Sequence, residues 1–248
     1  MSYIISSGWW CDRTQVHPGS LRNASDNRIR SKEFFDVWYD CIKTFTCPEK
    51  IIVIDSASPI KPKIHQDVEF VSLKRNFLHA EGCDTRLTGW TRAFLTGAFY
   101  ALMNDTDYSV FVEQDCAVVG GGIVEQAIAE MEGRGKKISY GKLDGMGSYI
   151  EQSFVIIKND YILEFIEHYL AIPKTDSVFD GMSPEIKFRT INEKDSLWYP
   201  LPFGYGRNRP INFQDATFYA QQMTTDELRQ LHDITQFASI GRLLARGS

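Results

Sequence analysis

The chain has no basic excess: among its 248 residues 27 Lys and Arg face 32 Asp and Glu, a net charge of -5. A surface of that balance gives nucleic-acid phosphates little to hold, which excludes DNA or RNA as a main partner. No apolar run approaches the ~20 residues that cross a bilayer, so no transmembrane segment is expected. Residues 1–8 lack the basic start and long apolar stretch of a signal peptide. Cys11, Cys41, Cys47, Cys83 and Cys116 are odd in number and show no C-x-x-C spacing, which suits neither a disulfide framework nor a Cys-rich zinc site. These absences predict a cytoplasmic protein, free or peripheral to a membrane, with the sequons at Asn23 and Asn104 left unmodified.

Several catalytic signatures are missing as well. There is no G-x-x-x-x-G-K-[ST], no G-x-G-x-x-G after the first strand, no G-x-S-x-G and no H-E-x-x-H. Kinase, nicotinamide dehydrogenase, serine hydrolase and zincin chemistry lose their usual support. The histidines at 17, 65, 79, 168 and 232 lie too far apart in sequence to suggest a local metal site.

What the chain does have is 43% hydrophobic residues, enough for a large core. Short apolar runs at 3–6, 51–54, 68–73, 108–112, 137–140 and 154–157 alternate with stretches of helical periodicity. One helix carries Phe34, Phe35, Trp38, Ile42 and Phe45; another carries Trp90, Phe94, Ala98, Ala101 and Leu102. Thr224-Thr225-Asp226-Glu227 is a capping box that opens a last helix. With no linker or internal repeat, the pattern predicts one α/β domain over residues 1–248, a mainly parallel, Rossmann-like central sheet flanked by helices. Its ligand crevice belongs beyond the carboxyl ends of the strands. The polar stretch 11–30 reads as a long loop of the kind that serves a site or lid, or equally as plain surface disorder.

The most informative segment is Tyr108 to Cys116. A strand apolar on both faces ends in Glu113-Gln114-Asp115, delivering two carboxylates to the crevice edge. Like charges so close are costly unless a cation joins them, and oxygen ligands suit Mg²⁺ or Mn²⁺ completed by a diphosphate. The alternative is a pair of strand-end acids in water, Asp115 capping a turn.

Glu113-Gln114-Asp115 resembles the D-x-D motif of the GT-A class of nucleotide-sugar glycosyltransferases, where a Rossmann-like strand ends in carboxylates that hold a divalent metal against the donor diphosphate. The resemblance implies Asp115 as the metal ligand, with Glu113 either beside it on the metal or contacting the sugar or ribose. It implies a nucleotide pocket beginning at Ser7, an Asp55 that meets base or ribose, Asn76 after the third strand, and Arg86 or Arg92 near the pyrophosphate. Asp55 equally suits an Asx turn, and Trp90 suits the core. Arg207 and Arg209, in the loop Phe203-Gly204-Tyr205-Gly206-Arg207-Asn208-Arg209-Pro210, could fold over the departing diphosphate, and equally suit a basic solvated turn.

Glu185 opens a helix behind Ser183-Pro184 and resembles the carboxylate that deprotonates the acceptor in inverting members; Glu151 and Asp144 stand behind it as candidates. Each of these three also suits a plain surface or first-turn acid. On this resemblance residues 1–115 form the nucleotide-binding half and 116–248 the acceptor-binding half. The partners are a nucleoside-diphosphate sugar and a glycan or glycoconjugate hydroxyl, and the cofactor is Mn²⁺ or Mg²⁺. Two alternatives stay open: a nucleotidyltransferase that forms sugar nucleotides, and a non-catalytic carbohydrate-binding protein on the same fold, with Trp9, Trp10 and Tyr205 stacking on sugar.

Overall fold

The computed structural model describes residues 1–12, 27–80, 82–142, 150–203, 209–214 and 216–245. Its strands are β1 (Tyr3–Trp9), β2 (Lys50–Asp55), β3 (Val68–Ser72), β4 (Tyr108–Val112), β5 (Cys116–Val119), β6 (Ile138–Lys142), β7 (Ile150–Lys158), β8 (Trp198–Pro200) and β9 (Phe218–Gln221). The helices are α1 (Phe34–Phe45), α2 (Gly89–Met103), α3 (Ile123–Gly133), α4 (Asn159–Ala171), α5 (Pro184–Asp195), α6 (Thr225–Thr235) and α7 (Ala238–Ala245).

Seven strands form one sheet in the order β3-β2-β1-β4-β7-β6-β8, and β5 pairs with β9 in a separate antiparallel ribbon. The pairs β3–β2, β2–β1, β1–β4 and β6–β8 are parallel; β7 runs antiparallel to both β4 and β6. The protein is thus an α/β fold whose sheet is mostly parallel. The reversal at β7 brings the start of that strand to the same edge where β1, β2 and β4 end.

Alternation along the strands splits the interior in two. Tyr3, Ile5, Ile51, Val53, Val110 and Phe154 face one core, while Ile4, Ile52, Ile54, Phe111, Val155 and Ile157 face the other. A strand buried on both faces is apolar nearly throughout, as β4 is, with the small buried Ser109 its one polar side chain. In the second core Phe94 sits among Phe111, Phe165 and Phe188, with ring centroids 5.7, 5.8 and 5.3 Å away. Such edge and tilted pairs add roughly 0.5–1.5 kcal/mol each beyond area burial. Gly97 lets α2 press on β1: a Cβ there would stand 2.2 Å from Ser6 Oγ.

Three expectations are corrected, and three strands join those the sequence suggests. The helix from Thr225 is not the last, since α7 follows it and packs Ile240 and Leu243 into the core. Short strands β5, β8 and β9 carry too few residues for a period to show. Trp9 is not in a loop: it ends β1, donates its indole N–H to the Ile60 carbonyl at 3.1 Å and lies edge-on to Phe35. Of the stretch 11–30, residues Asn27–Arg30 form a 3-10 turn whose Ile29 is buried, and 13–26 lie outside the described residues. No described helix is long and apolar enough to cross a membrane.

Candidate active site

A cleft of about 1180 Å³ opens where β1, β2 and β4 end and β7 begins. Gly8 and Trp9 line it from β1, Ile54 and Ser56 from the end of β2, Phe111 and the Glu113-Gln114-Asp115 turn from β4, and Ile150 to Ser153 from β7. This is the crevice that a parallel sheet leaves at its carboxyl edge, and it is roomy by the standard of small-molecule sites.

The acids converge here. The Glu113 N–H still bonds to the Ser153 carbonyl at 2.8 Å, so the strand pairing runs one residue past β4. The Cys116 N–H then returns to the Glu113 carbonyl at 3.0 Å and closes a tight turn, from which Glu113 and Asp115 both border the cleft. Glu151 enters from β7 and Glu185 from the first turn of α5. Glu113 keeps a partly accessible edge on the cleft, yet protein crowds its carboxyl, and the group is pushed up to about 8. Loss of hydration is the main cause; repulsion from Asp115, Glu151 and Glu185 adds to it. The nearby Trp90 indole N–H pulls the other way without making a hydrogen bond of ordinary geometry. Gln221, at the end of β9, donates its amide to Glu113 Oε2.

Sequence reasoning missed Arg30. Buried Ile29 anchors the turn that delivers it, and its Nη2 lies 3.6 Å from Asp115 Oδ2, with both side chains largely buried. The only cue was a basic residue at the end of a long polar stretch, which names no partner. Gln221 carried no signal either, since nothing local links residue 221 to residue 113.

Two helix N-termini also border the cleft: Thr88, Gly89 and Trp90 at α2, and Ser183, Pro184 and Glu185 at α5. The Thr88 hydroxyl caps α2 by accepting from the Thr91 N–H at 3.1 Å, and Ser183 caps α5 by accepting from the Ile186 N–H at 3.4 Å. Such ends carry partial positive charge and free N–H groups, a setting for anionic oxygen. Trp10 Nε1, Trp90 Nε1 and Ser153 Oγ are buried without a hydrogen-bond partner among the described residues, and all three residues line the cleft. Leaving such a group unpaired costs about 1–3 kcal/mol, which a bound polar ligand would recover.

Of the residues singled out in the sequence, Asn76, Glu113, Asp115, Glu151 and Glu185 come together around this cleft. Asn76 Oδ1 accepts from the Leu78 N–H at 2.8 Å, fixing a turn in which Leu78 takes a φ of 60°. Trp90 does both things asked of it, lining the cleft and stacking on Phe94 at 5.6 Å. Ser7, Asp55, Arg86, Arg92 and Arg209 are placed off the lining. Ser7 is buried in β1 and donates to the Gly8 carbonyl at 3.3 Å. Asp55 is fully buried, accepting from the Ser58 N–H at 2.9 Å and the Ser72 hydroxyl at 2.8 Å, the Asx-turn role.

The arginines are committed elsewhere. Arg86 donates to the Leu170 and Ile172 carbonyls at the end of α4. Arg92 donates to the Leu87 carbonyl at 3.1 Å and lies 3.8 Å over the Phe77 ring. Arg209 forks onto Glu227 at 2.8 and 2.6 Å. Asp144, Tyr205 and Arg207 lie outside the described residues. Away from the cleft, folding gathers Glu164, His168 and Asp195, a grouping invisible in sequence; His168 is held between Asp195 at 2.8 Å and Lys194 at 2.8 Å.

No protein-family model matches the chain, and no curated protein matches it in sequence. Among solved structures it is similar to residues 1–349 of S. aureus TarS, at 10% identity and a TM-score of 0.48 over 99% of this chain and 70% of that one. It is similar also to a glycosyltransferase involved in glycosylation of the major capsid of PBCV-1, at 11% identity and a TM-score of 0.49 over 94% of this chain and 100% of that one. The bifunctional IspDF of Campylobacter jejuni aligns at 10% identity and a TM-score of 0.49 over 86% of this chain and 52% of that one.

Proposed function

We propose that the protein is a metal-dependent glycosyltransferase that moves a sugar from a nucleoside-diphosphate donor to a hydroxyl of a glycan or glycoconjugate. One observation carries the reading: two carboxylates, Glu113 with no cation beside it among the described residues and Asp115 with Arg30 as its one described cation, stand at the carboxyl edge of the sheet beside two capped helix N-termini. Acids call for a cation there and helix ends call for an anion, and a divalent ion with a diphosphate satisfies both.

The residues present fit Mg²⁺ or Mn²⁺. The set is all carboxylate oxygen, as hard cations prefer, and a cation beside Glu113 would offset both the lost hydration and the repulsion from Asp115, Glu151 and Glu185 that push its carboxyl up. Asp115 would hold the ion, with Glu113 beside it. Bound there, the ion supplies charge neutralisation for the departing diphosphate. The chain does the rest. The α2 and α5 ends orient anionic oxygens, while Trp10, Trp90 and Ser153 offer unpaired polar groups to the ligand. Arg30 covers the Asp115 charge. Glu185, exposed at the cleft edge on α5, takes the proton from the acceptor hydroxyl as its oxygen bonds to the anomeric carbon and the bond to diphosphate breaks. Glu151, buried beside Glu113, is the second candidate for that base.

Titration calorimetry with UDP and GDP, with and without Mn²⁺, tests the reading, followed by a donor panel scored by nucleoside-diphosphate release. Expected is metal-linked binding that Asp115→Ala abolishes while the melting curve stays cooperative. Binding that ignores both metal and Asp115 overturns it. Pyrophosphate released from a sugar phosphate and a nucleoside triphosphate would assign the cleft to nucleotidyl transfer instead.

A further inference from the structure

One large apolar side chain at the cleft mouth is not used by the proposed transfer. Phe179 lines the cleft and is 79% exposed. Water contact of that extent is costly for a phenyl ring unless something covers it. The turn that carries it is rigidly built. The Val178 N–H bonds to the Ala80 carbonyl at 3.2 Å and the Met182 N–H to the Thr175 carbonyl at 2.9 Å. Ser177 Oγ accepts from the Phe179 N–H at 3.2 Å and donates to Asp180 at 2.8 Å. At Gly181 a Cβ would lie 2.2 Å from the Thr175 carbonyl oxygen, so only glycine closes the turn.

Beneath the ring, the turn is nailed to the core through Asp176. That carboxylate is wholly buried and accepts from the Thr88 N–H at 3.0 Å, Tyr169 OH at 3.0 Å and Lys187 Nζ at 2.7 Å. Phe179 is therefore held out by design of the fold. Val178 and Ile186, 51% and 40% exposed, extend the apolar surface, and Glu185 and Glu151 supply hydrogen-bond acceptors on the same cleft.

We infer that Phe179 is the stacking platform of an acceptor subsite for a neutral pyranose sugar. A pyranose has an apolar C–H face that suits an aromatic ring, and a rim of hydroxyls that donate to carboxylates. An anionic sugar would enter a cleft whose lining sets the carboxylates of Glu113, Asp115, Glu151 and Glu185 against two guanidinium groups, Arg30 and Arg189, and that acidic balance disfavours it. Glu185, the proton acceptor of the transfer, lines the same cleft as the ring. This assignment rests on the glycosyltransferase reading above.

The test compares wild type, Phe179→Ala and Phe179→Trp on a microarray of neutral and acidic glycans in the presence of Mn²⁺ and UDP or GDP, with calorimetry of the same nucleotide. Expected is retention of neutral glycans by wild type, a loss of about tenfold or more in Phe179→Ala and recovery to within about threefold in Phe179→Trp. Nucleotide affinity should agree within about twofold across the three proteins. Equal glycan retention by Phe179→Ala overturns the subsite, and so does a wild type that binds nucleotide but retains only acidic glycans or none. Self-association that vanishes in Phe179→Ala while glycan retention persists would assign the ring to a contact between copies and likewise overturns it. A wild type that binds no nucleotide sinks the transferase reading, and with it this assignment, in a way the nucleotide arm shows directly.

Discussion

Gln114 grips both backbone groups of Trp10: its Oε1 accepts from the Trp10 N–H at 2.6 Å and its Nε2 donates to the Trp10 carbonyl at 3.0 Å. The side chain acts as an extra rung of sheet beyond the ends of β1 and β4. It ties the two strand exits together just where Glu113 and Asp115 flank it. The middle residue of the acidic motif is thus the one that fixes the aim of the outer two.

Gln114→Glu keeps the size but removes the donor, setting a carboxylate against the Trp10 carbonyl. The expected cost is about 1–3 kcal/mol of stability in urea denaturation. Affinity for nucleoside diphosphate with Mn²⁺ should fall with it, since the turn that aims Asp115 loosens. A variant matching wild type in both measurements would show that the clamp does not hold the turn.

Glu113 makes a prediction about pH. Its carboxyl is raised from 4.5 to about 8 in the folded chain, so between those values the folded state keeps a proton that the unfolded state sheds. Stability of the metal-free protein therefore falls as pH rises from about 4.5 to about 8 and loses nothing further above that. Glu113→Gln cannot ionise and still offers Gln221 an acceptor. Its melting temperature should exceed that of wild type by a margin that widens toward pH 8. The margin is on the order of 2 kcal/mol, less than a fully enclosed carboxylate would give because the side chain opens on the cleft. A margin that shrinks with rising pH would contradict the assigned direction.

These residues also show what the sequence discloses and what it hides. β4 is legible to the residue because burial on both faces leaves Tyr108, Val110, Phe111 and Val112 in a short run broken only by the small Ser109. The caps Ser183 and Thr224 are legible because a helix start is a local event, settled within three or four residues. Arg30 and Gln221 are not, because their partners Asp115 and Glu113 are remote in sequence and chosen only by tertiary folding. The same holds for β5 and β9, whose pairing joins Cys116 to Gln221. The arginines read as phosphate ligands failed to reach the cleft for a related reason. Arg86, Arg92 and Arg209 found carbonyls, an aromatic face and a carboxylate closer to hand, and the charge pattern of a sequence does not record which anion lies nearest.

Glu185 tests the chemical step separately from binding. It is exposed on the first turn of α5, so Glu185→Gln removes the base without disturbing packing. Turnover should drop about 10²–10⁴-fold while donor affinity stays within about twofold. Loss in Glu151→Gln with Glu185→Gln fully active would move the base to β7.

The final prediction concerns the frame that holds the cleft walls together. Lys187 on α5 and Asp176 are both fully buried, 2.7 Å apart. Asp176 also receives the Thr88 N–H at the start of α2, so a single carboxylate spans the two helix ends that border the cleft. Lys187→Met leaves that carboxylate charged, buried and short of its cation, and should cost about 3–5 kcal/mol. Asp176→Asn in the same background removes the stranded charge and keeps hydrogen bonding to Thr88 and Tyr169. The double variant should therefore be more stable than Lys187→Met alone, despite carrying one more change. Chemical denaturation of the four proteins in the cycle measures the coupling. Additive losses would mean that Lys187 serves α5 through its bond to the Lys174 carbonyl at 2.6 Å and not through Asp176.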